Sequence, residues 1–400
     1  MDVTINSAPP LPWSEEQLGS ELSTLIDAII RIRRRNPTQP FYLGTTTVNV
    51  TAHNAALSPL SLSIDLVEIQ NHQALTVNQA IEYLPGVTID HKSPRNQTGI
   101  SIGGFDSRQV PLYFDGIPSY VPFDGYVDLT RYLTSDVAAV QVAKGYSSPP
   151  IGPNALGGVV NVVTREPQKN LEGDVFIGTA RGNQLDSGGH IGSRFRTFFL
   201  QASADRLQSD FYPISGSSQP NTIQRHDRRE NSDQRDTRFR LRFAWTPRGQ
   251  DQYVLSYSNE GGTTGIPPYS GNAPACPPGN ATVAIPCVTT KFRRWPIWNT
   301  NSYYFNSNTG LGAAGTVQLR AFYVGYSNRM DMFDDATYSS MNVNASSGMS
   351  HSDDHSVGAS GEFQTHAGAR HLLGASFFVK NDTHVNAARA QELPVALSRG

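Results

Sequence analysis

The sequence predicts a mainly β protein in which a small α+β domain precedes the antiparallel strands of a transmembrane β-barrel. Three observations in the 400-residue chain carry this prediction. Apolar and polar residues alternate with a period of two along the second half of the chain, and the connections between the alternating stretches are long and short in turn. No apolar run is long enough for a membrane-spanning helix.

Nine stretches of the second half have the alternation that predicts β-strands. They are Asp174–Arg181, Gly188–Ser193, Arg196–Arg206, Arg235–Thr246, Gln252–Asn259, Asn299–Asn308, Gly315–Asn328, Asp353–His366 and Ala369–Asn381. The fourth stretch separates its side chains most cleanly, because successive residues of a strand point to opposite faces. One predicted face carries Phe239, Leu241, Phe243 and Trp245, and the other carries Arg238, Arg240 and Arg242.

The connections decide between a membrane barrel and a half-buried sheet of a soluble protein, which would share the alternation. Short connections at 193–196, 247–251, 309–314 and 367–370 alternate with long ones at 207–234, 261–298 and 329–352. Outer-membrane barrels have short turns at one end and longer loops at the other, whereas compact soluble domains rarely contain several long structureless loops. The pattern therefore favours a barrel whose arginines face a water-filled interior.

The strand count predicts an incomplete barrel, because an unpaired strand edge is costly in lipid. We therefore expect this sequence to be the N-terminal part of a longer protein. Residues 1–44 contain a short amphipathic helix pattern and a basic run but no recognisable secretory signal, and we interpret them as an extension that is incomplete or non-native. Alternatively, the helix belongs to a small upstream module. A net charge of −2 gives no basic footprint for nucleic-acid binding.

The two cysteines, Cys276 and Cys287, lie close together in a Pro/Gly-rich stretch. In an oxidising compartment they would form a local disulfide, and the alternative is a pair of free thiols.

The most specific motif of the chain lies in Val140–Pro167. Its turn and following strand carry small residues where close backbone approach is needed, and the run VVNVV predicts a strand that is buried on both faces. The motif positions are Gly152, Ala155, Gly157, Gly158 and Asn161. Three shorter motifs precede it: LPGV after a predicted helix at 76–83, ISIGGF at 100–105, and YFDGIP at 113–118, where Asp-Gly predicts a hairpin turn. Their central residues are Gly86, Gly104, Asp115 and Gly116.

In this order, the four motifs resemble the plug domain of TonB-dependent outer-membrane receptors. The resemblance implies an N-terminal extension at 1–44, a TonB box and plug at 45–167, and the first strands of a barrel at 168–400, in a family whose barrels have about 22 strands. The chain departs from the family pattern at Gly103. An arginine usually stands there and contributes to polar contacts between plug and barrel, so the resemblance does not predict that contact here.

The extended, β-prone segment before the plug resembles a TonB box, which would add a strand to a sheet edge of the partner TonB. The residues for this contact are Thr46, Thr47, Val48, Val50, Thr51 and Ala52. The alternative is that the segment is an ordinary first strand of the plug.

The resemblance implies a receptor in the outer membrane of a Gram-negative bacterium that binds a scarce, small to medium-sized solute and moves it inward with energy from the inner-membrane TonB complex. Iron–siderophores or similar metal chelates are the commonest cargo of the family. Two loops carry the candidate ligand contacts, namely His91, Arg95, Asn96, Tyr120, Phe123 and Tyr126. Each of these could equally be a solvated loop residue.

Alternative hypotheses are a receptor for cobalamin, an oligosaccharide or a peptide and, from another class, a passive porin or an adhesin. A signalling receptor would need a folded domain before the box. The sequence contains no catalytic motif, so we expect no enzyme activity and no cofactor. The cluster HSDDH at 351–355 could suggest a metal site, but on a strand its two histidines would lie about 13 Å apart, so we predict no resident metal.

Overall fold

The computed structural model describes residues 61–90, 97–122, 125–145, 154–221, 223–248, 251–270, 290–344, 346–368 and 371–389. All of them belong to one compact unit, Val48–Gly400. The first elements of this unit form a small mixed sheet, a separate antiparallel pair made by the second and third strands, and two short helices. They are β1 (Ser61–Asp65), α1 (Leu66–Asn71), α2 (Val77–Ile81), β2 (Val87–Asp90), β3 (Gly99–Ile102), β4 (Leu112–Phe114), β5 (Ile117–Pro118), a 3₁₀ turn (Leu129–Arg131), β6 (Val137–Lys144) and β7 (Gly158–Thr164).

A side chain just before α1 fixes where this helix begins. The Asp65 carboxylate accepts a hydrogen bond from the backbone N–H of Glu68 (2.9 Å), and the Glu68 side chain accepts one from the Asp65 N–H (3.1 Å). This reciprocal pair satisfies two N–H groups that helix geometry leaves unpaired. The helix that the sequence predicts at 76–83 is present but shorter, because the chain turns away at Glu82 before the Leu84-Pro85 step.

The small sheet has the order β1-β6-β7-β4-β5. The pair β4 and β7 is parallel, and the other neighbours are antiparallel. Residues 158–164 of β7 are almost continuously buried, as the sequence predicts, because β7 is an interior strand covered on both sides. The core of this sheet and its helices continues into the large sheet, where Trp298 and Tyr326 join the same apolar cluster.

The second part of the chain forms a nine-stranded antiparallel sheet in which each strand pairs with its neighbours in sequence. Its strands are β8 (Glu172–Ala180), β9 (Gln184–Phe195), β10 (Phe198–Ser209), β13 (Gln234–Trp245), β14 (Gln252–Ile266), β15 (Phe292–Gly310), β16 (Thr316–Phe333), β17 (Gly348–Ala367) and β18 (His371–Arg389). The remaining pair, β11 (Tyr212–Pro213) and β12 (Arg228–Arg229), forms a small hairpin within the first long connection.

All nine predicted strands are confirmed, but several are longer than predicted. The register of β14 with β15 shifts at Gly262/Thr264, and the register of β15 with β16 shifts at Arg294/Ile297. A β-bulge inserts an extra residue and interrupts the period of two, so a prediction based on strict alternation stops at the bulge. The strands continue beyond it toward the long connections.

The large sheet has an inner face, which packs against the small sheet, and an outer face. On β13 the apolar residues point outward and are 40–45% exposed, whereas the arginines point inward and are 2–4% exposed. The alternation is therefore as predicted, but the expectation that these arginines face water is wrong. They are buried because the small sheet occupies the space in front of them.

The short connections lie at one end of the large sheet, called here the short-turn end, and the long connections lie at the other, the long-loop end. Among the described residues, no helix combines the length and the apolar character needed to cross a bilayer.

Candidate functional site

The candidate site is the contact between the small sheet and the inner face of the large sheet, together with a pocket at its long-loop end. The small-sheet side of this contact depends on the close packing of β7 against β6. A Cβ atom on Gly158 would overlap the backbone carbonyl of Ala143, and the φ of +146° at Gly158 also favours glycine. A Cβ atom on Gly157 would overlap the side chain of Phe105. The motif glycines thus let the strand approach its neighbours.

The predicted Asp-Gly turn joins β4 to β5 and is interlocked with β7. Asp115 and Gly116 have φ values of 48° and 80°, which are typical of a two-residue hairpin turn. The Asp115 carboxylate accepts hydrogen bonds from the backbone N–H (2.9 Å) and the hydroxyl (2.8 Å) of Thr164. Asn161 accepts one from the Gly116 N–H at 3.0 Å. These motif residues therefore hold the turn and the strand together.

The same turn contacts the wall of the large sheet. The hydroxyl of Tyr304 on β15 donates to the Asp115 carboxylate at 3.2 Å, and the side-chain amide of Asn306 donates to the Asp115 carbonyl at 3.0 Å. Tyr304 is buried, so the contact is shielded from water. One motif residue thus links the two sheets.

A buried ion-pair network also links the two sheets. Asp136, which is 0% exposed, pairs with Arg238 at 2.8 Å and with Arg240 at 3.0 Å. Arg238 also pairs with Asp205 on β10 at 2.6 Å, and Arg240 with Glu260 on β14 at 3.2 Å. The carboxylates surround the arginine ladder of β13, so the charges are compensated where water is excluded.

The charged form of Asp136 is strongly favoured. Burial by itself raises the pKa of this carboxyl, but the guanidinium groups of Arg238 and Arg240 and the hydroxyl of Ser203 outweigh burial and lower the pKa to about 2. The Ser203 hydroxyl donates to Asp136 at 2.9 Å. Asp136 is therefore ionised at every physiological pH.

A second buried cluster lies nearer the long-loop end. Arg131 pairs with Asp128 at 3.3 Å and with Asp236 on β13 at 3.2 Å, and its guanidinium lies 5.2 Å from the ring centroid of Trp298 on β15. Burial lowers the pKa of Arg131, and the two carboxylates raise it to a larger extent. Asp128 also accepts a hydrogen bond from the backbone N–H of Thr98, at the base of the loop at 91–98.

Sequence reasoning missed both buried clusters. It considered only the family position at Gly103, where a Cβ atom would find open space. The contacts come instead from Arg131 and Asp136, which lie outside the four motifs. The spacing of the arginines on β13 indicated that their side chains share one face of the strand. It does not reveal which residues of the small sheet lie opposite them.

The two described residues among the predicted ligand contacts lie in the loop at 119–126. The Nζ atom of Lys380 on β18 donates to the Tyr120 hydroxyl at 2.8 Å and lies 4.2 Å from the centroid of its ring. Tyr126 lies under the guanidinium of Arg108, 5.1 Å from its centroid. Tyr120 thus reaches the barrel wall, and Tyr126 stays within the small domain.

Several predicted positions lie outside the described residues. They are the ligand contacts His91, Arg95, Asn96 and Phe123, the TonB contacts Thr46, Thr47, Val48, Val50, Thr51 and Ala52, the motif residue Gly152, and the cysteines Cys276 and Cys287.

A half-open pocket of about 60 Å³ lies at the long-loop end, between the small sheet and β15–β18. Asp354 on β17 and His384 on β18 line it, and Asp354 Oδ1 lies 2.6 Å from His384 Nδ1. The two residues pair directly across the strands. The HSDDH cluster pointed to this region, but His384 was missed because cross-strand partners are distant in sequence.

The two histidines of that cluster face the other way. His351 pairs with the exposed Asp353 at 3.0 Å, and the His355 ring stacks on Tyr323 of the outer face with centroids 6.0 Å apart. Within the described ranges, no three His, Cys, Asp or Glu side chains come close enough together to hold a metal ion.

Comparisons with known proteins agree with this geometry. Residues 58–159 match the family described as the TonB-dependent Receptor Plug Domain. Among curated proteins, Transferrin-binding protein A of Haemophilus influenzae is 30% identical over 131 residues, which is 30% of this chain and 14% of that protein. The chain therefore spans a small part of this relative.

Solved structures share the fold of most of the chain. The Copper transporter OprC has a TM-score of 0.64 at 14% identity, and the FrpB iron transporter from Neisseria meningitidis has 0.64 at 16%; each match covers 82% of this chain, and 47% and 50% of those chains respectively. The siderophore receptor PirA from Acinetobacter baumannii has 0.60 at 15%, covering 82% of this chain and 48% of that one. The large sheet thus shares the fold of the barrel strands in these structures, and the small sheet lies mostly within the residues that match the plug family. Residues 58–159 thus match the TonB-dependent receptor plug family, and the chain shares the fold of about half of each of these solved structures.

Proposed function

We propose that the protein acts in the outer membrane of a Gram-negative bacterium as a TonB-dependent uptake receptor for an iron–siderophore or a similar metal chelate. The observation that carries the proposal is the folded plug fixed to the inner face of the barrel strands by the Asp136 ion pairs. A plug domain that is bonded to the inner face of the barrel strands suits gated transport. A passive porin or an adhesin gains nothing from such a plug.

Energy coupling assigns a role to the segment before the plug. Thr46, Thr47, Val48, Val50, Thr51 and Ala52 would pair with TonB as an added strand, in the manner of extended segments that bind sheet edges. In this proposal residues 1–44 are an N-terminal extension, residues 45–167 are the TonB box and plug, and residues 168–400 are the N-terminal part of the barrel.

The solute class rests on the names of the similar proteins, which include copper and iron transporters and a siderophore receptor. The candidate contacts are Tyr120 and Tyr126, with His91, Arg95, Asn96 and Phe123 of the same two plug loops. Cys276 and Cys287 would close a disulfide in the long connection between β14 and β15.

The test measures uptake by iron-starved cells that carry the receptor gene containing this sequence. Radioactive iron is supplied as hydroxamate, catecholate and citrate chelates, in strains with and without TonB. We expect at least one chelate to accumulate only when both the receptor and TonB are present. The Val50→Pro variant should lose this uptake because proline removes a backbone donor, and the matched Val50→Thr variant should retain it.

The outcomes separate the hypotheses. Accumulation that needs the receptor but not TonB would indicate a passive porin. TonB-dependent accumulation of cobalamin or an oligosaccharide, without any iron chelate, would support the alternative solutes. Equal uptake by the Val50→Pro and Val50→Thr receptors would contradict the assignment of the box.

A further inference from the structure

The pocket at the long-loop end contains a buried carboxylate oxygen that nothing in the described structure satisfies. The Asp354 side chain is 1% exposed. Its Oδ1 atom is engaged by His384, but its Oδ2 atom has no hydrogen-bond partner among the described residues. A buried carboxylate oxygen without a donor is costly, and such groups in native structures require an explanation. A bound donor from outside the protein supplies one.

The surroundings of Asp354 favour a positively charged donor. Trp295 and Tyr326 line the same pocket, and aromatic rings attract cations. Ser352 and Asn328 add neutral polar groups. None of the described residues that line the pocket is a lysine or an arginine. Lys380, four residues before His384 on β18, contacts the Tyr120 hydroxyl and pairs with Asp382 at 2.7 Å.

The chemistry fits an organic cation better than a bare metal ion. Among the described lining residues, only Asp354 and His384 are strong metal ligands, and the His384 Nδ1 atom already contacts the carboxylate. Transition metals need more ligands than this pair offers. The volume of about 60 Å³ is several times the space that one water molecule needs, which suits the tip of a larger solute.

We propose that this pocket binds an ammonium or guanidinium group of the imported solute, with Asp354 Oδ2 as acceptor and Trp295 and Tyr326 as its aromatic walls. The proposal rests on the proposed function in that the cationic group belongs to the solute. It narrows the substrate class to chelates that carry a free amine or guanidine beside their metal-binding groups. Charge-assisted hydrogen bonds to a carboxylate are among the strongest that a protein forms.

The test uses the purified full-length receptor in detergent and two probes of the same shape. Methylguanidinium carries the charge, and N-methylurea is its neutral counterpart. Saturation-transfer NMR of the probe methyl group measures the binding of each. We expect methylguanidinium to bind the parent receptor on the order of ten-fold more tightly than methylurea, because a hydrogen bond to a charged partner contributes that difference. Asp354→Asn should abolish the preference.

Asp353→Asn is the matched control, since Asp353 is the neighbouring carboxylate on β17 and is 62% exposed. The control should behave as the parent does. Equal binding of the two probes by the parent receptor would overturn the proposal. This comparison needs no variant, so it remains decisive even if Asp354→Asn does not fold. An unchanged preference in a folded Asp354→Asn receptor would overturn it as well. Probe binding by the parent and variant receptors does not depend on transport. Failure of the uptake experiment would therefore refute the proposed function without deciding whether the pocket binds a cation.

Discussion

At the scale of single residues, Asp136 has the largest predicted effect, because it is fully buried between two arginines of the barrel wall. Its replacement by asparagine leaves Arg238 and Arg240 with one partner fewer. Removing one member of a buried ion pair typically costs about 3–5 kcal/mol. We expect Asp136→Asn to lower the urea midpoint of plug unfolding in the purified receptor, measured by hydrogen exchange of plug amides.

Asp106→Asn provides a matched control within the plug. Asp106 pairs with Arg108 at 2.8 Å, but both side chains are exposed, at 36% and 52%. Exposed ion pairs contribute about 0–1 kcal/mol. Equal destabilisation by the two substitutions would show that burial of the Asp136 network does not stabilise the plug.

The acid sensitivity of the plug follows from the same residue. The pKa of Asp136 falls from 3.8 to about 2 because the arginines and Ser203 outweigh burial. A lowered pKa in the folded state stabilises the protein above the unfolded pKa, and this contribution is lost as the pH falls through the folded value. The contribution is on the order of 2 kcal/mol. The difference in stability between the parent and Asp136→Asn should therefore narrow between pH 4 and pH 2, and a constant difference would contradict this account.

At the scale of secondary-structure elements, the pairing of β6 with β7 depends on Gly158. Gly145 provides a comparison, because it also has a positive φ (+77°) but open space where a Cβ atom would lie. Gly145→Ala should cost about 1 kcal/mol through backbone conformation alone. Gly158→Ala should cost about 1–3 kcal/mol more, because its Cβ atom would meet the Ala143 carbonyl. Thermal unfolding of the plug compares the two variants, and equal midpoints would contradict the steric explanation.

The sequence predicted elements well wherever a local rule determines them. Strand number, the inward direction of the β13 arginines, and the Asp115-Gly116 turn all follow from alternation or turn chemistry, and the structure confirms them. The lengths of β14 and β15 were underestimated because bulges break the alternation, whereas β17 and β18 continue beyond their predicted ends without a register shift. The partners of the arginines, and the pair Asp354–His384, depend on register between distant segments, which no local pattern encodes.

At the scale of the whole molecule, the proposed membrane position predicts a belt of apolar side chains on the outer face. On β13 the belt runs from Phe239 to Trp245, and its neighbours β10 and β14 continue it with Leu200 and Leu255. Toward the long-loop end it gives way to Thr237 and then to Arg235, where aligned positions on β10 are also polar. This limit marks the expected level of one membrane surface.

The belt gives a position-dependent prediction that no soluble sheet would share. Leu241→Arg places a charge in the middle of the belt and should destabilise the inserted receptor by about 2–4 kcal/mol, whereas Thr237→Arg at its edge should cost about 0–1 kcal/mol. Folding into lipid vesicles, followed by the shift between folded and unfolded bands on gels, measures both variants of the full receptor. Both positions face outward on the same strand, and both substitutions introduce arginine. The main difference between the two variants is therefore the depth of the new charge in the membrane. Equal costs would mean that the outer face of this sheet does not contact lipid, and the membrane assignment would have to be abandoned.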